Sequence, residues 1–256
     1  KALFTQPPMP IKCAGAPQKI LYLAADHWQR NETSAEITFC NQGGAMFGVP
    51  YYAQALDKIM DSYDAERCFG ENLSAIDGDN KAATFTKADG ETVTRSFDMI
   101  HVVPPQSAPQ EIQNSELAGD GGWMAVDQHS LRSTKFENVW GLGDCTSTPN
   151  AKTAAAVRKQ YPVVAAGVLA AIDGKTDTTA RYDGYGGCPL TTAKGKMLLA
   201  EFRYGGEVLS SFGLDPAKER GIYWPIKTKL FPWMYWNVIL KGKDWKLPAA
   251  KPWKLD

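Results

Sequence analysis

The segment from Asn138 to Asp173 constrains the fold of this chain most strongly. Residues 138–144, with the sequence NVWGLGD, are predicted to form a buried strand that ends in Gly-Asp. Residues 151–173 show a strong helical pattern with a predicted break near Pro162. A strand that leads through a short loop into a helix is the building unit of α/β folds, and we therefore expect an α/β protein.

The loop of this unit, GLGDC, and the helix start KTAAAV also suit a cofactor. A helix N-terminus presents N–H groups without intrahelical partners and the positive end of a dipole. Asp144 can accept hydrogen bonds from cofactor hydroxyls, as acidic residues do in dinucleotide-binding folds. A structural turn capped by Asp144 explains the same residues equally well, and this segment alone leaves both interpretations open.

A second β/α unit lies nearer the start of the chain. Its predicted elements are two helices, at 17–30 and 49–66, and three strand-like runs, at 35–41, 81–87 and 91–103. The last two runs are joined by Ala-Asp-Gly, a hairpin turn signal. The proline-rich residues 104–110 mark a candidate domain junction. No G-x-G-x-x-G motif occurs, so these residues by themselves do not indicate a nicotinamide site.

The composition limits the function classes. Acidic and basic side chains number 28 each, so no basic surplus points to nucleic acid. No apolar run reaches the roughly 20 residues that a membrane-spanning helix needs. The five cysteines include no C-x-x-C pair and the three histidines are scattered, so we predict no metal site. The sequence starts at Lys1 without a targeting segment, and we expect a processed or partial chain.

Three motifs together resemble one enzyme family. They are KCAGAPQKILYL at residues 12–23, GLGDCTSTPNAKTAAAV at residues 141–157 and YDGYGGCPL at residues 182–190. In this order and spacing they resemble the sulfide:quinone oxidoreductases of the mitochondrial and related bacterial type. Residues 199–237 continue the likeness, so that it extends over the whole chain.

The resemblance implies a particular domain organisation. Members of the family are flavoproteins with two dinucleotide-binding, Rossmann-like domains, and their chains open with a G-x-G-x-x-G unit for FAD. That unit is absent here, so we expect a C-terminal part of a longer enzyme. Residues 1–106 are expected to form the second Rossmann-like domain, and residues 107–178 the returning half of the FAD-binding domain. Residues 179–256 are expected to form a C-terminal domain with a membrane-associating region.

The resemblance assigns the redox chemistry to Cys13 and Cys188. In the family, the cysteines of these motifs form a redox disulfide, or a sulfur-bridged version of it, beside the flavin. Sulfide attacks Cys188, leaves a persulfide there and releases Cys13 as a thiolate, from which two electrons pass to FAD. Small neighbouring residues keep each sulfur accessible, and Lys12 and Lys19 provide positive charge near Cys13. Without the resemblance, two buried packing cysteines are the simpler interpretation.

The same motifs supply candidate cofactor contacts. Residues expected to contact FAD, with the Asp144 carboxylate at the ribityl chain, are Lys19, Gly143, Asp144, Lys152 and Thr153. For the two lysines, a solvated surface position is the alternative. Cys40 and Cys68 are predicted to be packing residues, and Cys145 is given no role.

The segment from Tyr223 to Asp256 combines five tryptophans with interleaved lysines. Trp favours the interface between membrane and water, and lysine side chains extend toward lipid headgroups. Two short helices split by Pro232 are expected to lie in the interface, with Tyr223 and Phe231 at the entry of the quinone. Aromatic packing in a C-terminal core helix is the competing interpretation.

The prediction is therefore a peripheral, monotopic membrane flavoenzyme of the mitochondrial inner membrane or a bacterial plasma membrane. Its expected cofactor is FAD. Its expected partners are hydrogen sulfide, ubiquinone or another quinone, a small thiol or sulfite as sulfur acceptor, and membrane lipid; a homo-oligomer is left open. Two alternatives are a soluble flavocytochrome-type sulfide dehydrogenase and a non-catalytic membrane-surface fragment. The isolated chain is expected to be inactive.

Overall fold

The computed structural model describes residues 1–149, 152–175, 178–243 and 249–254. The chain divides into two compact units. Unit 1 consists of residues 1–106, 189–199 and 217–224, and unit 2 of residues 107–188, 200–216 and 225–256. One division therefore falls after Gln106, within the proline-rich run. The three predicted domains, 1–106, 107–178 and 179–256, stay predictions.

Unit 1 begins with alternating strands and helices. They are β1 (Ala2–Gln6), α1 (Ala16–Arg30), β2 (Ile37–Asn41), α2 (Pro50–Ser62) and β3 (Glu66–Phe69). An antiparallel sheet of β4 (Asn72–Asp77), β5 (Ala82–Thr86) and β6 (Thr92–Ser96) follows, before β7 (Met99–His101). Strands β3, β2, β1 and β7 form, in that order, a parallel sheet. The expected α/β class is thereby confirmed.

The central strands β1 and β2 of the parallel sheet are buried along nearly their whole length, as parallel strands covered on both faces are. The edge strands β3 and β7 are mostly exposed or half-buried. Helix α1 buries Leu21, Tyr22 and Ala25, and Pro17 lies in its first turn, where a missing N–H is tolerated. One core cluster includes Leu3 and Phe85, so the parallel and antiparallel sheets share a hydrophobic core.

Two predictions for unit 1, a helix end and a hairpin turn, can be compared with the structure. The predicted helix 49–66 is too long, because α2 ends at Ser62 and β3 already begins at Glu66. The chain reverses at Asp64, which has a left-handed backbone with a φ of 50°. The hairpin predicted at Ala-Asp-Gly is confirmed: Gly90 has a φ of 87°, and the Lys87 N–H donates to the Glu91 carbonyl at 2.8 Å.

Unit 2 contains α3 (Gln110–Gln113) and the long helix α4 (Ala154–Ile172). Strands β8 (Gly186–Ala193) and β9 (Lys196–Arg203) follow, and the division between the units falls inside both. Strand β10 (Glu207–Ser210) pairs with β9. The sheet order is β11-β10-β9-β8, where β11 is Lys251–Pro252. Between these last two strands the chain forms α5 (Tyr223–Pro225), a π-helical turn (Ile226–Leu230), α6 (Phe231–Asn237) and a 3₁₀ turn (Ile239–Lys241).

The predicted strand at 138–144 is wrong. Trp140 makes one isolated bridge with Arg132, and Gly143–Cys145 form a 3₁₀ turn. Gly143 has a φ of 73°, which an extended strand does not allow. A strand-like apolar composition therefore marks a partly buried loop here.

The predicted break of the helix near Pro162 is also wrong, because α4 continues through this residue. A proline inside a helix costs about 3 kcal/mol or more, so packing has to offset it. The buried positions Ala156, Gln160, Val163 and Gly167 form one stripe of the helix. At Gly167 the Trp140 indole lies 2.6 Å from the place that a Cβ would take, so this contact requires glycine.

Pro232 does not split the C-terminal segment into two helices. The helical backbone continues from Tyr223 to Asn237, with Pro232 in the first turn of α6 after the π-helical turn. A proline is tolerated there because the N–H that it lacks would otherwise need a partner. Among the described residues, no helix combines the length and the apolar content that crossing a bilayer requires.

Candidate active site

In unit 1, Cys13 lies in the turn between β1 and α1. Its backbone is left-handed, with a φ of 57°, and its carbonyl accepts the Ala16 N–H at 2.8 Å. The Lys12 N–H donates to the Gln106 side chain at 2.7 Å and so ties this turn to the end of the unit's first segment. Cys13 is half-buried, and the turn presents its side chain just ahead of the helix.

The ammonium of Lys19 donates to the Cys13 sulfur at 3.5 Å. Lys19 lies in the second turn of α1, so the helix itself brings the charge to the cysteine. A nearby cation and a helix N-terminus both favour the thiolate form of a cysteine, which is the nucleophilic and leaving form. Lys19 is half-buried, so the solvated-surface alternative does not describe it. Its contact with a cofactor stays a prediction.

In unit 2, the turn at Gly143–Cys145 is held from the side of α4. The Gly143 N–H donates to the Gln160 side-chain oxygen at 2.7 Å, and both groups are buried. This N–H is therefore engaged within the protein and is not presented to a ligand. The Asp144 side chain is exposed and so remains accessible, whereas the Cys145 thiol is directed to the Leu142 carbonyl at 3.4 Å.

The start of α4 has features that suit an anion or the electron-rich edge of a cofactor ring. Thr153 is the N-cap and accepts the Ala156 N–H on its hydroxyl at 3.2 Å. The N–H groups of Ala154 and Ala155, as in any first helical turn, have no intrahelical acceptor. Together with the positive dipole end of a helix that is 19 residues long, they favour electron-rich atoms in front of the helix.

Lys152 is buried, with 6% of its surface exposed, so the solvated-surface alternative is wrong for this residue. Its ammonium donates to the Thr146 carbonyl at 2.5 Å and lies 4.7 Å from the centre of the Trp123 ring. A carbonyl and an aromatic face are the partners that make a buried cation tolerable. The positive charge is thus held in place beside the 143–145 turn.

Cys188 lies in β8 and is 1% exposed. The preceding Gly187 packs on the first turn of α4, because a Cβ at this position would lie 3.3 Å from the Ala155 Cβ. The structure therefore brings the motif that carries Cys188 against the helix start of the GLGDC motif, within one unit. Cys13 belongs to unit 1, and its pairing with Cys188 stays a prediction.

A hydrogen-bonded network supports the Cys188 motif. The Tyr185 hydroxyl donates to Glu201 at 2.6 Å, and Glu201 also accepts the N–H and hydroxyl of Ser211 at 2.7 and 2.6 Å. Burial and the Glu201 carboxylate raise the pKa of Tyr185, so its hydroxyl stays a donor. Burial also raises the pKa of Tyr182, whose hydroxyl donates to the Tyr185 carbonyl at 2.6 Å. The loop is thus rigidly placed.

Sequence reasoning missed two residues that organise this region. Gln160 and Glu201 are buried, and they hold the Gly143 turn and the Tyr185 loop respectively. Each carries a recognisable signal: a lone polar residue on the apolar stripe of α4 and a lone acid in the apolar run MLLAEF of β9. Such residues are commonly held by internal partners.

Cys40 and Cys68 are buried in the core of unit 1, as predicted. They are register partners in the neighbouring parallel strands β2 and β3. A hydrogen bond with Cys68, together with burial, raises the pKa of Cys40, and the same hydrogen bond lowers the pKa of Cys68. The predicted quinone residues differ in exposure: Tyr223 is fully buried in unit 1, and Phe231 is half-buried in unit 2.

The segment after Pro225 exposes large apolar side chains. Those of Trp233, Trp236 and Leu240 are 57%, 64% and 56% exposed. Trp253 behaves differently, because its N–H donates to the Val208 carbonyl at 2.9 Å beside the paired strand β11. Trp245 lies outside the described residues. The exposed part of the aromatic segment is therefore centred on α6 and the turn that follows it.

The sequence matches no family model. It does match mitochondrial sulfide:quinone oxidoreductases from three eukaryotes, with 40% identity to the mouse protein, 37% to that of Schizosaccharomyces pombe and 39% to that of Dictyostelium discoideum. These alignments cover 97%, 95% and 94% of this chain. The expected resemblance to this family is thereby confirmed. The chain spans about half the length of these relatives, 56%, 55% and 54% respectively.

Solved structures support the fold. A sulfide:quinone oxidoreductase from Aquifex aeolicus superposes with a TM-score of 0.70, at 13% identity, over 99% of this chain and 64% of its own. A chain of the mitochondrial ATP synthase of Tetrahymena thermophila superposes with a TM-score of 0.69, at 22% identity, over 80% of this chain and 50% of its own. At these identities the likeness establishes the fold alone.

Proposed function

We propose that this chain is part of a sulfide:quinone oxidoreductase, a flavoenzyme that oxidises hydrogen sulfide and reduces a quinone. The observation that carries the proposal is the Lys19 ammonium 3.5 Å from the Cys13 sulfur, in one of the three motifs on which the resemblance to the family rests. A buried packing cysteine needs no cation, whereas a cysteine that has to leave as a thiolate does.

The first step is thiol–disulfide exchange at Cys188. In the oxidised enzyme Cys13 and Cys188 are joined by a disulfide, and hydrosulfide attacks the Cys188 sulfur. The new sulfur–sulfur bond makes Cys188 a persulfide, the old bond breaks, and Cys13 leaves as a thiolate beside the Lys19 ammonium. Both electrons of the broken bond stay on Cys13.

The described residues fit one end of a flavin. The exposed carboxylate of Asp144 can accept hydrogen bonds from ribityl hydroxyls. The N–H groups of Ala154 and Ala155 can donate to ring carbonyl oxygens, and the buried Lys152 adds positive charge beside them. The Gly143 N–H already donates to Gln160, so Gly143 only shapes the site. The Thr153 hydroxyl accepts the Ala156 N–H through its oxygen, and its O–H can donate to a ligand. Bound FAD supplies a two-electron acceptor that a quinone can reoxidise.

The sulfur leaves by a second exchange. A small thiol or sulfite attacks the outer sulfur of the Cys188 persulfide and restores the Cys188 thiolate. With a thiol as acceptor, the overall balance is hydrogen sulfide plus thiol plus quinone to give the persulfide of that thiol and the quinol. Two electrons leave the protein in each turn, and the cysteine pair returns to its disulfide.

Membrane association gives the quinone access to the enzyme. The exposed tryptophans of α6 are flanked by lysines, as in a helix that lies in the headgroup region. The lysines are Lys227 and Lys229 before α6 and Lys241 and Lys243 after it. A peripheral, monotopic attachment to a mitochondrial inner membrane or a bacterial plasma membrane follows. A soluble flavocytochrome-type dehydrogenase has no need of such a surface, so the observation favours the quinone enzyme.

The test uses the full-length enzyme that contains this chain. Wild type, Cys13→Ser and Cys188→Ser are compared in sulfide-dependent quinone reduction, with bound flavin measured by its visible absorbance. Both variants should retain flavin and lose at least about 1,000-fold in rate, because each removes a sulfur of the exchange. Cys145→Ser, which keeps a donor to the Leu142 carbonyl, is the matched cysteine control and should remain active. Near-normal turnover of Cys188→Ser would overturn the assignment.

A further inference from the structure

Unit 1 contains a buried group of two cysteines and one glutamate apart from Cys13, formed by Cys40, Cys68 and Glu71. Cys40 in β2 is the direct register partner of Cys68 in β3, and Glu71 follows two residues after that strand ends. The two sulfurs and a carboxylate oxygen all lie within 4.8 Å of one another. All three residues are buried, with exposures of 0%, 7% and 6%.

Arg95 orients the carboxylate of this group from the neighbouring strand β6. Its Nε and one terminal nitrogen donate to the two Glu71 oxygens, each at 2.9 Å. The Cys40 thiol is directed to the same carboxylate at 3.5 Å. A guanidinium that holds a carboxylate in this bidentate way leaves further lone pairs of the oxygens for another partner.

The charges of the group are compatible with a divalent ion bound by both thiolates. With both thiols protonated, Glu71 and Arg95 neutralise each other. A divalent cation that displaces two thiol protons meets two thiolates, one carboxylate and one guanidinium, and the sum is again zero. A divalent cation can therefore bind through both sulfurs without leaving a net charge among buried residues, which would be costly.

We propose that Cys40, Cys68 and Glu71 bind a thiophilic divalent metal ion, with Zn²⁺ the best match, and that Arg95 positions the Glu71 ligand. Thiolate and carboxylate ligands are those that zinc accepts, and a three-ligand set leaves the fourth tetrahedral position to a water or a small anion. The ion joins β2 to the edge strand β3 and to Glu71, which Arg95 of β6 holds. Its expected role is to stabilise unit 1.

The site was not predicted because its spacing carries no signal. Cys40 and Cys68 are 28 positions apart, and only their pairing in a parallel sheet brings them together. The proposal goes beyond sulfide oxidation and uses none of the residues assigned to it. Its failure therefore leaves the proposed function standing.

The probe is Co²⁺ added to the reduced full-length enzyme, with thiolate-to-cobalt absorption as the readout. We expect one ion per chain, displacement by Zn²⁺ and release of about two protons, seen as a buffer-dependent binding enthalpy. Cys68→Ser and Cys40→Ser should lose the absorption. Arg95→Met should keep it but weaken binding about 10- to 100-fold. Cys13→Ser is the matched control, because it removes a thiolate outside the group, and should bind as wild type does.

Folding of each variant is checked by circular dichroism, and Zn²⁺ should raise the melting temperature of wild type but not of Cys68→Ser. If Cys40→Ser does not fold, the more accessible Cys68 provides the same test. Absorption that persists in Cys68→Ser, absorption lost in Cys13→Ser, or no binding to the reduced wild type would each overturn the proposal. A Cys40–Cys68 disulfide that resists the reductant, and therefore excludes the ion, would also overturn the proposal.

Discussion

The Lys19 ammonium lies 3.5 Å from the Cys13 sulfur, with the cysteine in the turn before α1 and the lysine in the second turn of that helix. The contact is local, because both residues belong to one turn and the helix that follows it. The chemistry of Cys13 can therefore be tested directly through Lys19.

Lys19→Met should lower the reactivity of Cys13 toward iodoacetamide near neutral pH by about tenfold. The neutral side chain no longer favours the thiolate, and a partly exposed ion pair is worth on the order of 1 kcal/mol. Alkylation of the Cys13 peptide in the reduced protein is measured by mass spectrometry across a pH series. Lys19→Arg should restore the rate, and Lys58→Met, on the exposed face of α2, should not change it. An unchanged rate in Lys19→Met would remove the lysine from the mechanism.

Gln160→Leu should lower the free energy of unfolding by about 1–3 kcal/mol, because it leaves the buried Gly143 N–H without its acceptor. The loosened turn also carries Asp144, so flavin retention in the full-length enzyme should fall. Denaturant unfolding and flavin content are the measurements. Gln110→Leu, at an exposed glutamine, should stay within about 0.5 kcal/mol of wild type. Equal stability of the two variants would contradict the role of Gln160.

Gly184→Ala should destabilise the protein far more than Gly205→Ala. Both glycines are left-handed, with φ values of 85° and 77°, so each alanine carries a backbone cost of roughly 1 kcal/mol. A Cβ at residue 184 would also collide with the Tyr204 ring, whereas residue 205 has open space. The difference in melting temperature between the two variants measures the collision. Similar melting temperatures would show that the Tyr204 ring moves aside.

Asp127 should make stability depend on acid pH. Its carboxylate accepts the N–H and hydroxyl of Ser130 at 2.7 and 2.8 Å and the His129 N–H at 3.1 Å, which lower its pKa. A lowered pKa in the folded state stabilises the protein above the unfolded pKa of about 3.9, and this contribution is lost as the pH falls through the folded value.

Asp127→Asn cannot titrate, so the difference in melting temperature between wild type and this variant should be largest near pH 6 and shrink toward about pH 3. The effect at neutral pH should not exceed about 1 kcal/mol, since the group is largely accessible to water. Thermal melts at several pH values measure it. A difference that stays constant over this range would contradict the proposed origin of the lowered pKa.

Trp233→Ala combined with Trp236→Ala should weaken binding of the full-length enzyme to anionic vesicles while leaving its melting temperature unchanged. Both side chains are more than half exposed, so the substitutions remove little internal packing. High salt should weaken wild-type binding only in part, because the lysine attraction is screened and the apolar contact is not. Vesicle flotation at two salt concentrations is the assay. Ile76→Ala, at an exposed apolar residue of β4, is the control.

The sequence alone determined the helix 17–30, the hairpin at Ala-Asp-Gly and the α/β class, because these depend on local periodicity and turn chemistry. Its motifs also led to the family. Where the local pattern was misleading, tertiary packing determined the secondary structure. The apolar run 138–144 is a loop around a left-handed Gly143. Helix α4 continues through Pro162 because its buried stripe packs on Trp140 and the core. The lone polar positions of Gln160 and Glu201 indicate that each has an internal partner, but only the folded chain identifies those partners. The Cys40–Cys68 pair has no local signal, because the pairing of two parallel strands brings the residues together. Such contacts form only when the sheet and helix are assembled, since each buried polar group finds its partner in another element.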